Sequence, residues 1–366
     1  MPRIEFIDHL RNFAGFLRLF IHSAVPYMVT VSPIWPVDDR GILLIDFFVF
    51  EGHLFVMELY FLIAGFMFYR QIQFMEPGAF LRNRMRRIGL PFLAGMLLMV
   101  PFVLMFFGLG RYPDYRWMSV SCIADSFIQG FSLGMRNFFP TAHLWFLYYL
   151  MLFYLSGAAI LKSGLFHFIQ NTSLRRFLLI GGAGSFAAMF FSGRWILENP
   201  LTLLPEFSSF LHFFLFFLGG MLLQVNEERC KITRPGFFII AGLMLGLGSA
   251  CCQLFKGKEE LVFYGFLEAA AQIFYAAASW LLSFGIWFFA KENFRRSTFL
   301  SRRLADASFR VYFWSLPVVM LLQLLLLPLD VPVILKLAIV FTASGFITLS
   351  PEIGKRNREK QTGSRG

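Results

Sequence analysis

The chain has 366 residues, 57% hydrophobic, 19% aromatic and 15% charged, with a formal net charge of +11. A soluble domain carries about 25% charged residues, so the composition excludes an ordinary soluble enzyme. The cations lie between apolar runs, which makes them a topology signal rather than a nucleic-acid signal.

Apolar runs near the ~20 residues a bilayer-spanning helix needs recur along the whole chain. They predict an all-α polytopic integral membrane protein with about ten spans. These lie at 12–31, 44–69, 88–109, 143–162, 176–193, 206–225, 236–255, 265–290, 309–328 and 331–350. Segment 117–135 is less apolar, contains Asp125 and Gln129, and reads as an interfacial or re-entrant piece. With the N-terminus placed inside, 25 basic residues fall on the inner side and seven on the outer, with Lys336 inside the last span. That asymmetry fits the positive-inside rule and puts both termini in the cytoplasm. One transmembrane domain, 1–354, is expected, followed by a basic tail, 355–366, expected to be disordered. No repeat relates the two halves, which weakens an inverted-repeat transporter reading.

Charges inside a span cost about 2.5–3.5 kcal/mol on insertion scales and usually line a cavity. The first span carries Arg11, Arg18 and His22. At ~100° per residue, steps of seven and eleven residues return to within about 20° of the starting direction. All three residues therefore share one face, in a stripe roughly 16 Å long at ~1.5 Å per residue. Snorkelling accounts for Arg11 near the interface, less well for Arg18, and least for His22 about halfway across. No cleaved signal peptide is read here, because Arg18 and His22 interrupt the apolar core.

The second span places Glu51, Glu58 and Gly65 on one face at seven-residue spacing. Glu58 is either a structural ion-pair partner or the acid that neutralises Arg18 or orients His22. The loop FLRNRMRRIGLP, 80–91, holds the densest basic cluster. It serves topology and anionic lipid, or else binds phosphate through its arginines. His143 and Trp145 stand at the outer end of the fourth span. Glu206, His212, Glu268, Gln272 and Tyr275 follow in later spans and read singly as packing or interface residues. Four cysteines, Cys122, Cys230, Cys251 and Cys252, show no C-x-x-C spacing. No His/Asp/Glu cluster has metal-ligand spacing, so no metal is expected.

Together these motifs resemble acyltransferase family 3, the integral membrane O-acyltransferases. The hallmark is an Arg, ten residues and a His in the first span, here Arg11 and His22 within FIDHLRNFAGFLRLFIH. MELYFLIAGF, 57–66, is similar to the family's V-D-L-F-F-V-L-S-G-F, with Glu58 at the acidic place and Gly65 at the Gly place. RMRRIGLP, with Arg84, Arg87, Gly89 and Pro91, and HLWFL, 143–147, resemble the branch that includes glucan biosynthesis protein C. ASFRVYFWSLP, 307–317, resembles A-S-Y-x-I-Y-L-x-H-x-P, with Tyr312 in place and Ser315 where the pattern has His. That His has no counterpart here, so its role does not carry over.

The resemblance implies a bacterial inner-membrane enzyme that moves an acetyl or succinyl group from cytoplasmic acyl-CoA to a hydroxyl of a carbohydrate or other envelope acceptor. It implies acyl-CoA as co-substrate and no tightly bound cofactor. His22 is then the general base, Arg11 a donor contact and Glu58 a supporting group. Arg84 and Arg87 are expected near the donor phosphates, and Arg18, His143, Trp145, Tyr312 and Ser315 among the substrate contacts. The lipid bilayer is a partner, nucleic acid is not, and homo-oligomerisation is left open. The alternative is a transporter of an acyl group or glycan without chemistry, since intramembrane Arg, Glu and His also suit proton-coupled transport. A third reading is a catalytically dead relative acting as an assembly partner, with Ser315 its best support.

Overall fold

The computed structural model describes residues 3–30, 35–109, 123–126, 128, 132, 141–197, 199–296 and 298–363, with side chains described through Ser350. Among them the secondary structure is helical throughout. In chain order the helices are α1 (Glu5–Ala24), α2 (Leu43–His53), α3 (Val56–Ile72), α4 (Pro77–Arg84), α5 (Leu90–Leu98), α6 (Val100–Leu109), α7 (Trp145–Lys162), α8 (Phe166–Gln170), α9 (Leu174–Ser192), α10 (Phe207–Val225), α11 (Pro235–Gln253), α12 (Tyr264–Asn293), α13 (Phe299–Leu326) and α14 (Val333–Gly363).

Nine helical stretches among the described residues are long and apolar enough to cross a membrane: Leu43–Ile72, Pro77–Leu109, Ala142–Lys162, Leu174–Ser192, Phe207–Val225, Pro235–Gln253, Tyr264–Asn293, Phe299–Leu326 and Val333–Ser350. The tenth long helix, α1, carries Glu5, Asp8, Arg11 and Arg18 along its 20 residues. The protein is therefore a polytopic membrane protein of nine to ten spans.

Local chemistry sets several helix ends. Thr298 accepts a hydrogen bond from the Ser301 amide and caps α13. Ser173 caps α9 in the same way. Pro77 and Pro235 stand at the first positions of α4 and α11, where a missing N–H costs nothing. Gly193 closes α9 in the left-handed conformation at φ 61°.

Two elements differ from the sequence expectation. The second span is broken at Leu54–Phe55, where Phe55 leaves helical geometry at φ −144°, ψ −14°. The third span begins at Pro77, and its basic cluster includes a π-helical turn at Met85–Gly89. The first break follows Glu51-Gly52-His53, and the π-helical turn ends at Gly89, two residues before Pro91, so both sit beside weak helix formers. The last helix is Val333–Gly363. Segment 117–135 and Cys122 lie almost wholly outside the described residues.

The chain divides into two compact units. The first comprises Met1–Val49, Gly95–Ala142 and Phe294–Gly366. Here α1 packs on α13 and α14, and α6 on α13. Leu19, Val319 and Val340 form a buried cluster, flanked by Leu322, Leu326 and Phe341. In lipid such contacts act through van der Waals packing rather than removal from water.

The second unit comprises Phe50–Ala94 and His143–Asn293. Its main pairings are α3 with α10 and α11 with α12. The α3–α10 contact is made backbone to backbone. A Cβ on Gly65 would lie 1.8 Å from the Phe217 carbonyl oxygen, and one on Gly220 would lie 2.0 Å from the Leu62 carbonyl oxygen. Each glycine seats the main chain of the opposite helix, as small residues do in membrane helix pairs. Phe61 packs within 5.1 Å, centroid to centroid, of Phe146, Phe153 and Phe213 beside this contact.

Candidate active site

The polar stripe of α1 faces α13, and the two helices run parallel. Asn12 Nδ2 donates to the Ser301 carbonyl at 2.8 Å. Six residues on, Arg18 Nη2 donates to Ser315 Oγ at 3.1 Å. The His22 carbonyl accepts from Gln323 Nε2 at 2.8 Å. Asn12, Arg18 and the His22 carbonyl thus meet residues of α13 in ascending order.

Arg18 is 5% exposed, Tyr312 6% and Ser315 fully buried. Its guanidinium carbon lies 4.3 Å from the Tyr312 ring centroid. Residues 312 and 315 are one helical turn apart and present a ring and a hydroxyl to the same cation. A desolvated cation over an aromatic face gains about 2 kcal/mol. That gain offsets part of the cost of holding a charge in the span. Arg18 therefore has a defined seat against Tyr312 and Ser315. Arg11 lies one stretch earlier on α1 and is half-buried. Near the helix start, Arg3 forms an ion pair with Asp8 and bonds Asp306 and the Arg302 carbonyl. The Asp8 carboxylate raises the Arg3 pKa further above its ordinary value.

His22 lies two residues before the end of α1 and is half-buried. Its ring centroid stands 5.9 Å from that of Trp35, which in turn is 5.5 Å from Phe107. Trp35 comes from the loop after α1, whose lower part is fastened by a buried ion pair. Lys336 Nζ lies 2.6 Å from Asp38 Oδ2, with both side chains fully buried. Lys336, noted in the sequence only as a cation within the last span, is thus an anchor for this loop.

The second unit holds a separate polar network. Glu58, expected to serve Arg18 or His22, has its carboxylate on His212, with Oε1 3.0 Å from Nε2. His212 Nδ1 lies 2.9 Å from Ser185 Oγ, which also accepts from Trp280 Nε1 at 2.9 Å. The indole N–H can only donate. The Ser185 hydroxyl proton is then available to Nδ1, and the carboxylate takes the Nε2–H. All the hydrogen-bonding partners are buried. His212 was classed by sequence as a packing residue. The signal that points to it is the presence of both an acid and a His in otherwise apolar spans of one chain, which usually pair.

Arg84 and Arg87 stand in different surroundings. Arg84 is half-buried, bonds Gln71, and lies 4.8 Å over Phe80 and 5.8 Å over Tyr154. Arg87, on the π-helical turn, is exposed. Trp145, at 4% exposure, is enclosed by Phe213 at 5.3 Å, Tyr149 at 5.7 Å and Phe61 at 6.2 Å. It is a packing residue in this structure. His143 is buried at the start of the same span.

Residues 4–350 match the model of the acyltransferase 3 family, described as an acyltransferase domain. No curated protein and no solved structure matches the chain. With the match covering nearly its whole length, the chain belongs to the acyltransferase 3 family and is a membrane-embedded transferase of acyl groups other than amino-acyl groups.

Proposed function

We propose that the protein transfers an acetyl or succinyl group from cytoplasmic acyl-CoA to a hydroxyl of a carbohydrate or other envelope acceptor in the bacterial inner membrane. His22 acts as the general base. The observation that carries this reading is the single polar face of α1. It holds half-buried Arg11, the Arg18 seat on Ser315 and Tyr312, and His22 beside Trp35.

The chemistry is a direct acyl transfer. The acceptor hydroxyl gives its proton to the His22 imidazole as its oxygen attacks the thioester carbonyl. A C–O bond forms, the C–S bond breaks, and the CoA thiolate leaves, taking the proton back from the imidazolium. General-base assistance is typically worth ~10²–10⁴-fold. Arg11 contacts the donor, and Arg18 supplies fixed positive charge to the oxyanion that develops. Arg84 and Arg87 offer cations to the phosphates of the donor. The motifs at 84–91 and 143–147 favour the glucan biosynthesis protein C-like branch, with both termini cytoplasmic.

The test supplies purified protein in proteoliposomes with labelled acetyl-CoA or succinyl-CoA and an envelope glycan. Acceptor-dependent loss of thioester, with label recovered on the glycan, is the expected result. Movement of glycan across the vesicle without acylation would support a transporter instead.

A further inference from the structure

Gln323 is the lone amide in the apolar run VVMLLQLLLL of α13, and it is fully buried. Burying an unbonded amide costs several kcal/mol, so its partners explain its presence. It has three. Nε2 donates to the His22 carbonyl at 2.8 Å and to the Ser23 carbonyl at 3.2 Å. Oε1 accepts from Trp35 Nε1 at 3.0 Å. The orientation of the amide follows from Trp35, whose indole N–H can only donate.

The need for this side chain is written into α1. In an α-helix the His22 carbonyl would accept from the amide of residue 26. Residue 26 is proline, which has no N–H. The helix gives way there to a short 3₁₀ turn, Val25–Tyr27. Pro26 cannot supply the i+4 donor to the His22 carbonyl, and Gln323 Nε2 donates there instead. With its other end the same amide holds the ring that stands against the His22 imidazole. The loop cannot easily drift from that position. The Asp38 and Ile42 amides bond the Pro26 and Tyr27 carbonyls at 2.8 and 2.9 Å, and Lys336 locks Asp38.

We infer that Gln323 is a positioning residue for the transfer reaction: one buried amide fixes both the broken helix end that carries His22 and the Trp35 indole beside its imidazole. This rests on the reading of His22 as the base. A misplacement of about 1 Å at a reacting group can cost ~10²-fold in rate, so the effect falls on kcat rather than on donor affinity.

The experiment uses full-length protein labelled with 5-fluorotryptophan, with the Trp35 resonance assigned by Trp35→Phe. Gln323→Leu keeps the volume and removes all three bonds. The expected result is a shifted Trp35 ¹⁹F resonance and a kcat lowered roughly 10–100-fold, with donor KM within about twofold of wild type. The double variant Gln323→Leu/Trp35→Phe should be no worse than Gln323→Leu alone, because both act through one link. An unmoved resonance, a wild-type kcat, or losses that simply add would overturn the inference. If Gln323→Leu does not fold, Trp35→Phe alone decides, since it removes the indole N–H together with its pyrrole ring and leaves the Gln323 bonds to α1 in place. A lowered kcat at unchanged KM supports the role, and an unchanged kcat overturns it. His22→Ala in the same assay separates the two levels. If His22→Ala is dead while Gln323→Leu turns over normally, only the positioning role fails. If His22→Ala is fully active, the base assignment fails and takes the positioning role with it.

Discussion

The Glu58 carboxylate and the His212 imidazole stand 3.0 Å apart on α3 and α10, at 1% and 0% side-chain exposure. Removing one partner of such a pair strands a buried polar or charged group and costs about 3–5 kcal/mol. His212→Ala should therefore lower the thermal midpoint in detergent clearly. Glu58→Gln keeps the shape and one hydrogen-bonding oxygen and should cost only about 1–2 kcal/mol. A His212→Ala protein that melts with the wild type would show that the pair contributes nothing.

The α3–α10 crossing makes a second, sharper prediction. Gly65→Ala and Gly220→Ala each drive a methyl group into a carbonyl oxygen at about 2 Å. Backbone cannot move aside as a flexible side chain does, so each substitution should destabilise by about 1–3 kcal/mol or more. Gly182→Ala is the control, since a Cβ there meets nothing within 4 Å. Equal melting of all three variants would mean that the helices do not touch at these glycines.

Lys336 and Asp38 test whether the loop carrying Trp35 is clasped as described. Lys336→Met and Asp38→Asn should each be costly, in the range of about 3–5 kcal/mol for a broken buried pair. The double variant should cost much less than the sum of the two singles. Additive losses would contradict a direct pair.

Arg18 should not tolerate lysine. The planar guanidinium sits over Tyr312 while reaching Ser315, and an ammonium does not reproduce that geometry. A loss near 1.4 kcal/mol corresponds to a tenfold drop, so acyl transfer by Arg18→Lys should fall roughly tenfold or more. Wild-type turnover in Arg18→Lys would reduce Arg18 to a bare charge.

Much of this architecture is legible in the sequence because lipid imposes a length and a composition on each span. The α1 stripe is legible for the same reason: helical angle alone places Arg11, Arg18 and His22 on one face, and α1 meets α13 through the Asn12 and Arg18 side chains and the His22 carbonyl. What the sequence hides is partnership between distant residues. Glu58 reads equally as a structural ion-pair partner or as the acid for Arg18 or His22, since spacing within a span says nothing about which span lies opposite. Gln323 is hidden for another reason. Its value depends on Pro26, nearly 300 residues earlier, which removes the donor that Gln323 replaces. The break at Phe55 and the π-helical turn at Met85–Gly89 sit beside Gly52 and Gly89, but a glycine within a span does not by itself say whether the helix continues.

The central claim is that the end of the α1 stripe is where acyl transfer occurs. The most direct measurement is acceptor-dependent acylation by His22→Ala, using protein shown by thermal melting to be folded and supplied with saturating labelled acyl-CoA. The account predicts a kcat lower by ~10²–10⁴-fold with the melting temperature essentially kept. A folded His22→Ala protein that acylates the acceptor at the wild-type rate would contradict it.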